Sequence, residues 1–183
     1  MSGPPFSIRT ATAADIPALE ALIEQSVRQL QQADYSPSQI DGSIGSIFGI
    51  DRQLIQDATY FVAAPINVPS QLVACGGWSF RRTLYGSDRL ADRNDTLLDP
   101  AIDYAKIRAI FVHPAFARRG LGSLVLAHCE QAAQTAGFRR FEMGSTLTGL
   151  PLYILKGYVE RDRMAAVLPN GERLTVVHMN KSL

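Results

Sequence analysis

The sequence predicts an α+β fold of three layers, in which about four helices flank a mixed, mostly antiparallel central sheet of roughly six to seven strands. Three observations predict this class. Short apolar runs separated by turn residues, typical of hairpins, fill much of the first half of the chain. Residues 107–145 have the pattern of a strand, a helix and a second strand, and Asn170-Gly171 separates two apolar runs near the C-terminal end, which is a strong hairpin signal.

Composition restricts the classes of protein to consider. The 183 residues, 46% of them hydrophobic, suit one domain with a substantial core, so we expect a single domain over residues 1–183. The 18 Lys and Arg balance 17 Asp and Glu, and the formal charge of +1 provides no general attraction to nucleic acid. No leader-like segment and no run of roughly 18 apolar residues occurs, so we expect a cytoplasmic protein without a membrane partner.

The N-terminal part predicts one strand and two helices. Residues 6–9 are a strand candidate, and residues 16–30 have the pattern of an amphipathic helix with Pro17 in its first turn. Residues 36–48 keep apolar residues at helical spacing but are rich in Gly and Ser, which predicts a short, weak helix. The apolar stripe of the first helix comprises Ile16, Leu19, Leu22, Ile23, Val27 and Leu30.

Two further strands, at residues 59–64 and 71–80, are predicted to form a hairpin. The second contains Gly76 and Gly77, and paired glycines inside a strand mark a bulge or a close approach of another backbone. Trp78 follows them and is a candidate for substrate binding in the wall of an acceptor pocket. The alternative, a core tryptophan beside a kinked strand, is equally open.

Residues 81–100 interrupt the regular pattern. They are charged and aperiodic, and connections longer than about 12–15 residues without structure of their own are uncommon in compact domains. We interpret them as a long insertion. Whether this insertion is a flap beside the substrate or a solvent-exposed loop stays open.

The most informative stretch is residues 107–123. Its first part, rich in β-branched and aromatic residues, predicts a strand stopped by Pro114, and residues 121–136 predict a helix ended by Gly137. Glycines at the start of a helix let backbone N–H groups approach a ligand, and those groups favour phosphate oxygens. The stretch therefore predicts a site for a phosphorylated ligand. Its polar turn contains Arg118, Arg119, Gly120 and Gly122.

The C-terminal part completes the sheet. Residues 139–145 are a further strand candidate, and residues 150–156 predict a short helix ended by Gly157. Apolar runs at residues 159–167 and 174–179 flank the Asn170-Gly171 turn and close the chain as a hairpin.

These features resemble the GNAT superfamily of acyl-CoA N-acyltransferases. The family signature, Arg/Gln-x-x-Gly-x-Gly/Ala at the start of a helix, falls on residues 117–122, where Ala117 replaces the usual Arg or Gln. The order of elements also matches from Phe6 to the C-terminus, so the resemblance covers nearly the whole chain. Further similar motifs are Val112-His-Pro114, Tyr153-x-x-x-Gly157-Tyr158 and Met179-x-Lys181-x-Leu183.

The resemblance implies a GNAT-like fold that uses acetyl-CoA as cosubstrate and no metal. It implies a bulge near residues 110–112 and a splay between this strand and the strand at residues 141–145. Free backbone groups of the bulged strand would pair with the pantetheine arm, and one N–H would polarise the thioester oxygen. The implied cofactor-binding residues are Ile110, Phe111, Val112, Arg118, Arg119, Gly120, Leu121, Gly122 and Ser123.

The resemblance also implies a catalytic residue. Tyr153 occupies the position from which many family members donate a proton to the sulfur of CoA. The alternative is that Tyr153 only packs in the core, with its hydroxyl hydrogen-bonded.

The general base is not identified by the sequence. Family members often carry a Glu where this chain has Lys106, and a protonated lysine is a poor base. Asp103, Tyr104, Glu142 or a chain of water molecules are alternatives. The histidines show no metal-ligand spacing, and no acidic residue is spaced to join His178. Cys75 and Cys129 lie in apolar contexts and are predicted to be reduced core thiols.

The sequence therefore predicts an acetyl-CoA-dependent N-acetyltransferase that moves an acetyl group to a primary amine by direct transfer in a ternary complex. The acceptor is a small-molecule or peptide amine, and family habit suggests a homodimer. An alternative is a catalytically weak acyl-CoA sensor or interaction module of the same fold. A dinucleotide-binding oxidoreductase fits poorly, because Val125 occupies the third glycine position of its motif.

Overall fold

The computed structural model describes residues 5–183. Its centre is one seven-stranded sheet with the order β1-β2-β3-β4-β5-β7-β6. Neighbouring strands are antiparallel except β4 and β5, which are parallel. The strands are β1 Phe6–Thr10, β2 Tyr60–Pro65, β3 Ala74–Ser79, β4 Ala105–Val112, β5 Arg140–Ser145, β6 Val159–Val167 and β7 Arg173–Ser182.

Five α-helices accompany the sheet. One of them, α3, was not predicted from the sequence. It begins after Asp51, whose carboxylate accepts a hydrogen bond from the N–H of Gln53. It is a single capped turn, too short for apolar periodicity to reveal it. None of the helices within residues 5–183 is both long and apolar enough to cross a membrane. The helices are α1 Ile16–Leu30, α2 Pro37–Ser43, α3 Arg52–Gln56, α4 Leu121–Thr135 and α5 Leu150–Leu155.

The second predicted helix is shorter than residues 36–48. The Ser36 hydroxyl accepts a hydrogen bond from the N–H of Gln39 at the start of α2, but Ile44 is already extended and Gly45 has a φ of +82°. A left-handed glycine ends a helix readily. The remaining apolar residues, Ile47 and Phe48, are nevertheless buried.

The helices lie on both faces of the sheet, which confirms the predicted three layers. One face is covered by α4, with Val125, Leu126 and Cys129 in a cluster that includes Phe141 of β5. The other is covered by α1, whose Leu19 and Ile23 belong to a second cluster. Both cysteines are free and buried in these clusters.

Residues 81–100 have no regular helix or strand but fold back on the sheet. The N–H groups of Arg82 and Thr83 donate to the carbonyl oxygens of Thr96 and Asn94, at 3.1 and 2.9 Å, so the two halves of the segment pair with each other. The tip bonds to the chain around α2, because the N–H of Ser87 donates to the carbonyl of Ser46 at 2.9 Å. These hydrogen bonds hold the segment in place beside β4.

Candidate active site

The parallel strands β4 and β5 separate soon after they meet. They pair only at Ala105 with Phe141 and at Lys106 with Glu142. Beyond these pairs, the edge of β4 that faces β5 has no strand beside it. The splay that the family resemblance implied is thus present, and it leaves backbone donors and acceptors of β4 available to a ligand.

A bulge in β4 accompanies the splay. Phe111 lies opposite Cys75 and Arg108 opposite Gly77, so Ala109 and Ile110 share Gly76 as their partner. The bulge begins at Ala109, one residue before the expected range of 110–112. Ala109 has a φ of +52°, a conformation that an L-residue adopts at a free-energy cost of about 1 kcal/mol or more. This strained backbone lies at the mouth of the splay.

Gly76 makes the bulge sterically possible. A Cβ atom on Gly76 would lie 2.6 Å from a methyl carbon of Val125 and 2.7 Å from Cγ1 of Ile110. Only a glycine allows α4 and the bulged strand to approach this closely. The paired glycines therefore mark a close approach of another backbone, which was one of the two structures predicted for them from the sequence.

A turn with two left-handed residues leads from β4 into α4. Arg118 has a φ of +63° and Gly120 a φ of +82°. The first intrahelical bond runs from the N–H of Leu124 to the carbonyl of Gly120, at 2.9 Å, so the preceding amides have no acceptor within the helix. Arg118 and Arg119 are exposed beside these amides. Free N–H groups, the helix dipole and two guanidinium groups suit a diphosphate.

Tyr153 lies on α5, close to the start of α4. A Cβ atom on Gly122 would lie 3.0 Å from a methyl carbon of Leu152, the neighbour of Tyr153. The Tyr153 ring is 9% exposed, and burial raises the pKa of its phenol well above the ordinary value. No hydrogen bond to its hydroxyl is found among the described residues. The phenol is thus protonated and unengaged.

A cleft opens where β4 and β5 separate. Tyr153 lines it, together with the bulge at Ala109 and Ile110. Gln31, the residue after α1, and residues 84–86 of the insertion also line it. Three candidate residues of the sequence, Ile110, Phe111 and Tyr153, therefore meet in one cleft, while the Arg118 turn lies outside it.

The insertion is held against the cleft by a buried charge cluster that the sequence did not predict. The guanidinium of Arg108 donates to the Asp51 carboxylate at 2.8 Å and to the carbonyl oxygens of Thr83 and Gly86 at 3.0 and 2.7 Å. Arg93 reaches the same carboxylate at 3.1 Å. Residues 84–86 of the insertion therefore line the cleft, and Arg108 holds them there.

Trp78 lies away from the cleft. Its side chain is 5% exposed and packs edge-on against Phe80 and Phe138, with ring centroids 5.8 Å apart in both pairs. It belongs to the cluster under α4 and is absent from the cleft lining. This position matches the core interpretation, and we assign Trp78 no contact with the acceptor.

Lys106 begins a row of charged side chains that crosses four strands. It bonds to Glu142, whose second oxygen lies 2.8 Å from Nε2 of His178, and Nδ1 of His178 lies 3.1 Å from Asp162. His178 thus has two acidic neighbours in space, although no sequence spacing joins them to it. The two neighbours come from β5 and β6, while His178 lies on β7, so sequence spacing could not reveal them.

The candidates for a general base lie outside the cleft. Asp103, Tyr104 and Glu142 are absent from its lining, and both oxygens of Glu142 already have cationic or imidazole partners. Within residues 5–183, no group of three or more His, Cys, Asp or Glu side chains could hold a metal ion.

Comparison with known proteins adds to this geometry. The model of the Acetyltransferase (GNAT) family matches residues 24–152. No curated protein matches the chain.

Solved structures with the same fold include three acetyltransferases. The GCN5-related N-acetyltransferase from Rhodopseudomonas palustris is 20% identical, with a TM-score of 0.72 over 100% of this chain and 99% of that one. The PaiA N-acetyltransferase from Thermoplasma acidophilum, in complex with coenzyme A, is 12% identical, with a TM-score of 0.62 over the whole of both chains. The acetyltransferase YncA from Salmonella typhimurium, with its cofactor acetyl-CoA, is 15% identical. Its TM-score is 0.62, over 98% of this chain and 95% of that one.

Proposed function

Because the chain belongs to the GNAT acetyltransferase family, we propose that it is an acetyl-CoA-dependent N-acetyltransferase, which transfers an acetyl group directly to a primary amine in a ternary complex. The observation that carries the proposal is the splay of β4 from β5. It leaves an unpaired strand edge that continues into a turn of free amides, beside a cleft lined by an unengaged tyrosine. Binding of coenzyme A and acetyl-CoA by relatives of the same fold supports the choice of cosubstrate.

The residues of β4 and α4 would bind the cosubstrate. The amides of Leu121, Gly122 and Ser123, with the exposed Arg118 and Arg119, offer hydrogen bonds and positive charge to the diphosphate. The backbone of Ile110, Phe111 and Val112 would pair with the pantetheine arm. An N–H near the bulge would polarise the carbonyl oxygen as negative charge develops there.

Acetyl-CoA supplies the thioester carbonyl that the amine attacks. A C–N bond forms, the C–S bond breaks, and the departing sulfur needs a proton. Tyr153 is the candidate for this task, because it lines the cleft and its hydroxyl has no competing partner among the described residues. Burial raises the pKa of its phenol, so the group is protonated, and the proton leaves as negative charge develops on the sulfur. Solvent takes the proton that the nitrogen loses and returns one to Tyr153, so the products are an N-acetyl amide and free CoA thiol.

The proposal also covers the acceptor, the location and the oligomeric state of the protein. In this proposal the acceptor is a small-molecule or peptide amine, and the protein works in the cytoplasm as a homodimer. A catalytically weak acyl-CoA sensor is the second candidate, supported by Ala117 in the family signature and by the lack of an evident base among the residues that line the cleft.

Two measurements test the proposal. Calorimetric titration with acetyl-CoA is expected to give saturable binding, and free-thiol release is expected to require an added amine, with a reaction lacking acceptor as the control. The amine panel contains alkylamines, amino acids, aminoglycosides and peptides with free N-termini. Binding without amine-dependent thiol release would favour the sensor, and absence of binding would exclude acetyl-CoA as the cosubstrate.

A further inference from the structure

The cleft contains one buried polar atom without a partner. Oε1 of Gln31 is the only fully buried side-chain nitrogen or oxygen among the described residues that has no hydrogen-bond partner. Gln31 is 6% exposed and lines the cleft. An unpaired buried carbonyl oxygen costs roughly 1–3 kcal/mol of stability, and a hydrogen-bond donor from a ligand would remove that cost.

The backbone of Gln31 is held firmly. It follows the last turn of α1, and its carbonyl accepts hydrogen bonds from the N–H groups of Asp34 and Tyr35, at 3.1 Å each. The Tyr35 hydroxyl donates to the carbonyl of Thr175 and accepts from the N–H of Leu147, both at 2.8 Å. This bridge fixes the end of α1 against β7 and the loop after β5, so Gln31 is set at the cleft before a ligand arrives.

The charges of the cleft are unusual for a site that binds an amine. Within residues 5–183, no Asp or Glu lines it. Its titratable groups are Arg108 from β4, Tyr153 from α5 and Tyr85 from the insertion, while the lining residues of β5 and β7 are uncharged. Behind Arg108, one carboxylate, Asp51, pairs with two guanidinium groups, from Arg93 and Arg108. Arg93 also lies 3.5 Å from Asp95, so this group is balanced in charge and leaves no unpaired carboxylate facing the cleft.

Other acidic side chains of the neighbouring elements lie outside the cleft lining. Glu142 pairs with Lys106 and His178. Glu20 and Glu24 of α1 line a separate surface depression that shares Phe48 with the cleft. No carboxylate of the described residues thus lines the cleft to pair with an ammonium ion.

We propose that the cleft selects its acceptor as a neutral primary amine with a small, largely apolar body, and that Gln31 holds this amine by accepting a hydrogen bond from its N–H to Oε1. The inference rests on the proposed acetyltransferase function and specifies its substrate class. Burial in the cleft, without a carboxylate among its described lining residues to pair with the cation, disfavours an ammonium ion relative to the free amine. The cleft therefore provides the nucleophile in its reactive form, and no side chain is needed to deprotonate it before attack.

Substitution of Gln31 by leucine tests the contact. Gln31→Leu removes an unpaired polar group and keeps the volume, so the thermal midpoint is expected to stay equal or rise. The KM for the amine is expected to rise roughly three- to tenfold, as for the loss of one hydrogen bond, with the KM for acetyl-CoA unchanged. The control is Gln32→Leu, which alters the exposed neighbour. Equal amine KM values for the two variants would overturn the assignment of Gln31.

A series of amines tests the charge selection with the unaltered protein. Ethylamine and its mono- and difluorinated analogues have similar shapes but falling basicity. The rising limb of kcat/KM with pH is expected to move with the pKa of each amine, and diamines such as putrescine are expected to be acetylated at least tenfold less efficiently than alkylamines. If the rising limb of kcat/KM lies at the same pH for every amine, a base on the enzyme deprotonates the acceptor and the inference is overturned. A preference for diamines would also overturn it. Absence of transfer to any amine would instead reject the acetyltransferase function itself, and this inference with it.

Discussion

At the scale of single residues, two polar groups that line the cleft stand out because they have no hydrogen-bond partner among the described residues, whereas buried polar groups normally have one. The Tyr153 hydroxyl has no hydrogen bond among the described residues, and Gln31 Oε1 is unpaired. Both line the same cleft. Elsewhere the buried phenols are engaged: Tyr35 bridges Thr175 and Leu147, and Tyr158 donates to Glu130 at 2.9 Å. The contrast marks the cleft as the place where a ligand completes the hydrogen bonding.

Removal of the Tyr153 hydroxyl tests its proposed role. Tyr153→Phe is expected to lower kcat by roughly 10²-fold, the lower end for loss of a general acid, and to leave the affinity for acetyl-CoA nearly unchanged. Steady-state kinetics and calorimetry measure these quantities. A kcat equal to that of the unaltered protein would remove Tyr153 from the mechanism.

The chain offers a matched control for this substitution. Tyr158 is a neighbouring buried tyrosine, with its ring centroid 6.0 Å from that of Tyr153, but it is absent from the cleft lining. Tyr158→Phe removes a hydrogen bond to Glu130, so it is expected to lower stability by about 1 kcal/mol while changing kcat much less than Tyr153→Phe does.

At the scale of elements, strand β4 and helix α4 together form the binding surface for the cosubstrate. The bulge at Ala109 interrupts the ladder between β3 and β4, and the left-handed turn at Arg118 and Gly120 precedes the first amides of α4. Both the bulge and the turn require a backbone conformation that costs free energy by itself. The close packing of α4 against Gly76 offsets this cost. The packing requires a glycine there, because a Cβ atom would lie too close to its neighbours.

The glycine at the start of α4 provides a test at this scale. Gly120→Ala meets no atom within 4 Å, so its effect is conformational, through a φ of +82°. We expect a loss of about 1–2 kcal/mol in stability and a weaker affinity for acetyl-CoA, because the amides of the turn are displaced. Thermal unfolding and calorimetric titration measure the two effects.

Gly171→Ala is the control, because it separates strain from binding. Gly171 has a φ of +85° and an equally open surrounding, but it lies in the turn between β6 and β7. The two variants are expected to lose similar stability, while only Gly120→Ala weakens the binding of acetyl-CoA. Equal affinity in both would contradict a diphosphate site at α4.

At the scale of the whole molecule, one sheet connects all parts of the chain. The cluster under α4 and the cluster under α1 lie on opposite faces of the same strands. The insertion joins them to the cleft, because Arg108 of β4 bonds to Asp51 before α3 and to the carbonyl oxygens of Thr83 and Gly86. Loss of either layer would expose apolar surface of the shared sheet, so the layers are expected to unfold together.

The expected single domain can be tested by its cooperativity. Differential scanning calorimetry is expected to give one transition, with a calorimetric enthalpy equal to the van't Hoff enthalpy. The physical reason is the shared sheet, which leaves neither cluster a complete core of its own. Two resolved transitions would contradict a single cooperative unit.

The sequence by itself determined the features that depend on neighbouring residues. Hairpin turns, helix ends at Gly137 and Gly157, and the turn at Gly120 follow from local backbone preferences, which are properties of a few consecutive residues. The predicted fold class and the family resemblance are confirmed for the same reason, since both rest on the order of such elements and on a local signature.

Only the tertiary structure decided the features that join distant parts of the chain. Arg108 and Asp51 are 57 residues apart, and His178 and Glu142 are 36 apart, so no spacing in the sequence could pair them. The placement of Trp78 in the core and the exclusion of carboxylates from the cleft were likewise beyond local patterns. Gln31 is the clearest case, because a missing hydrogen bond is defined by everything that surrounds an atom and is recorded in no single residue.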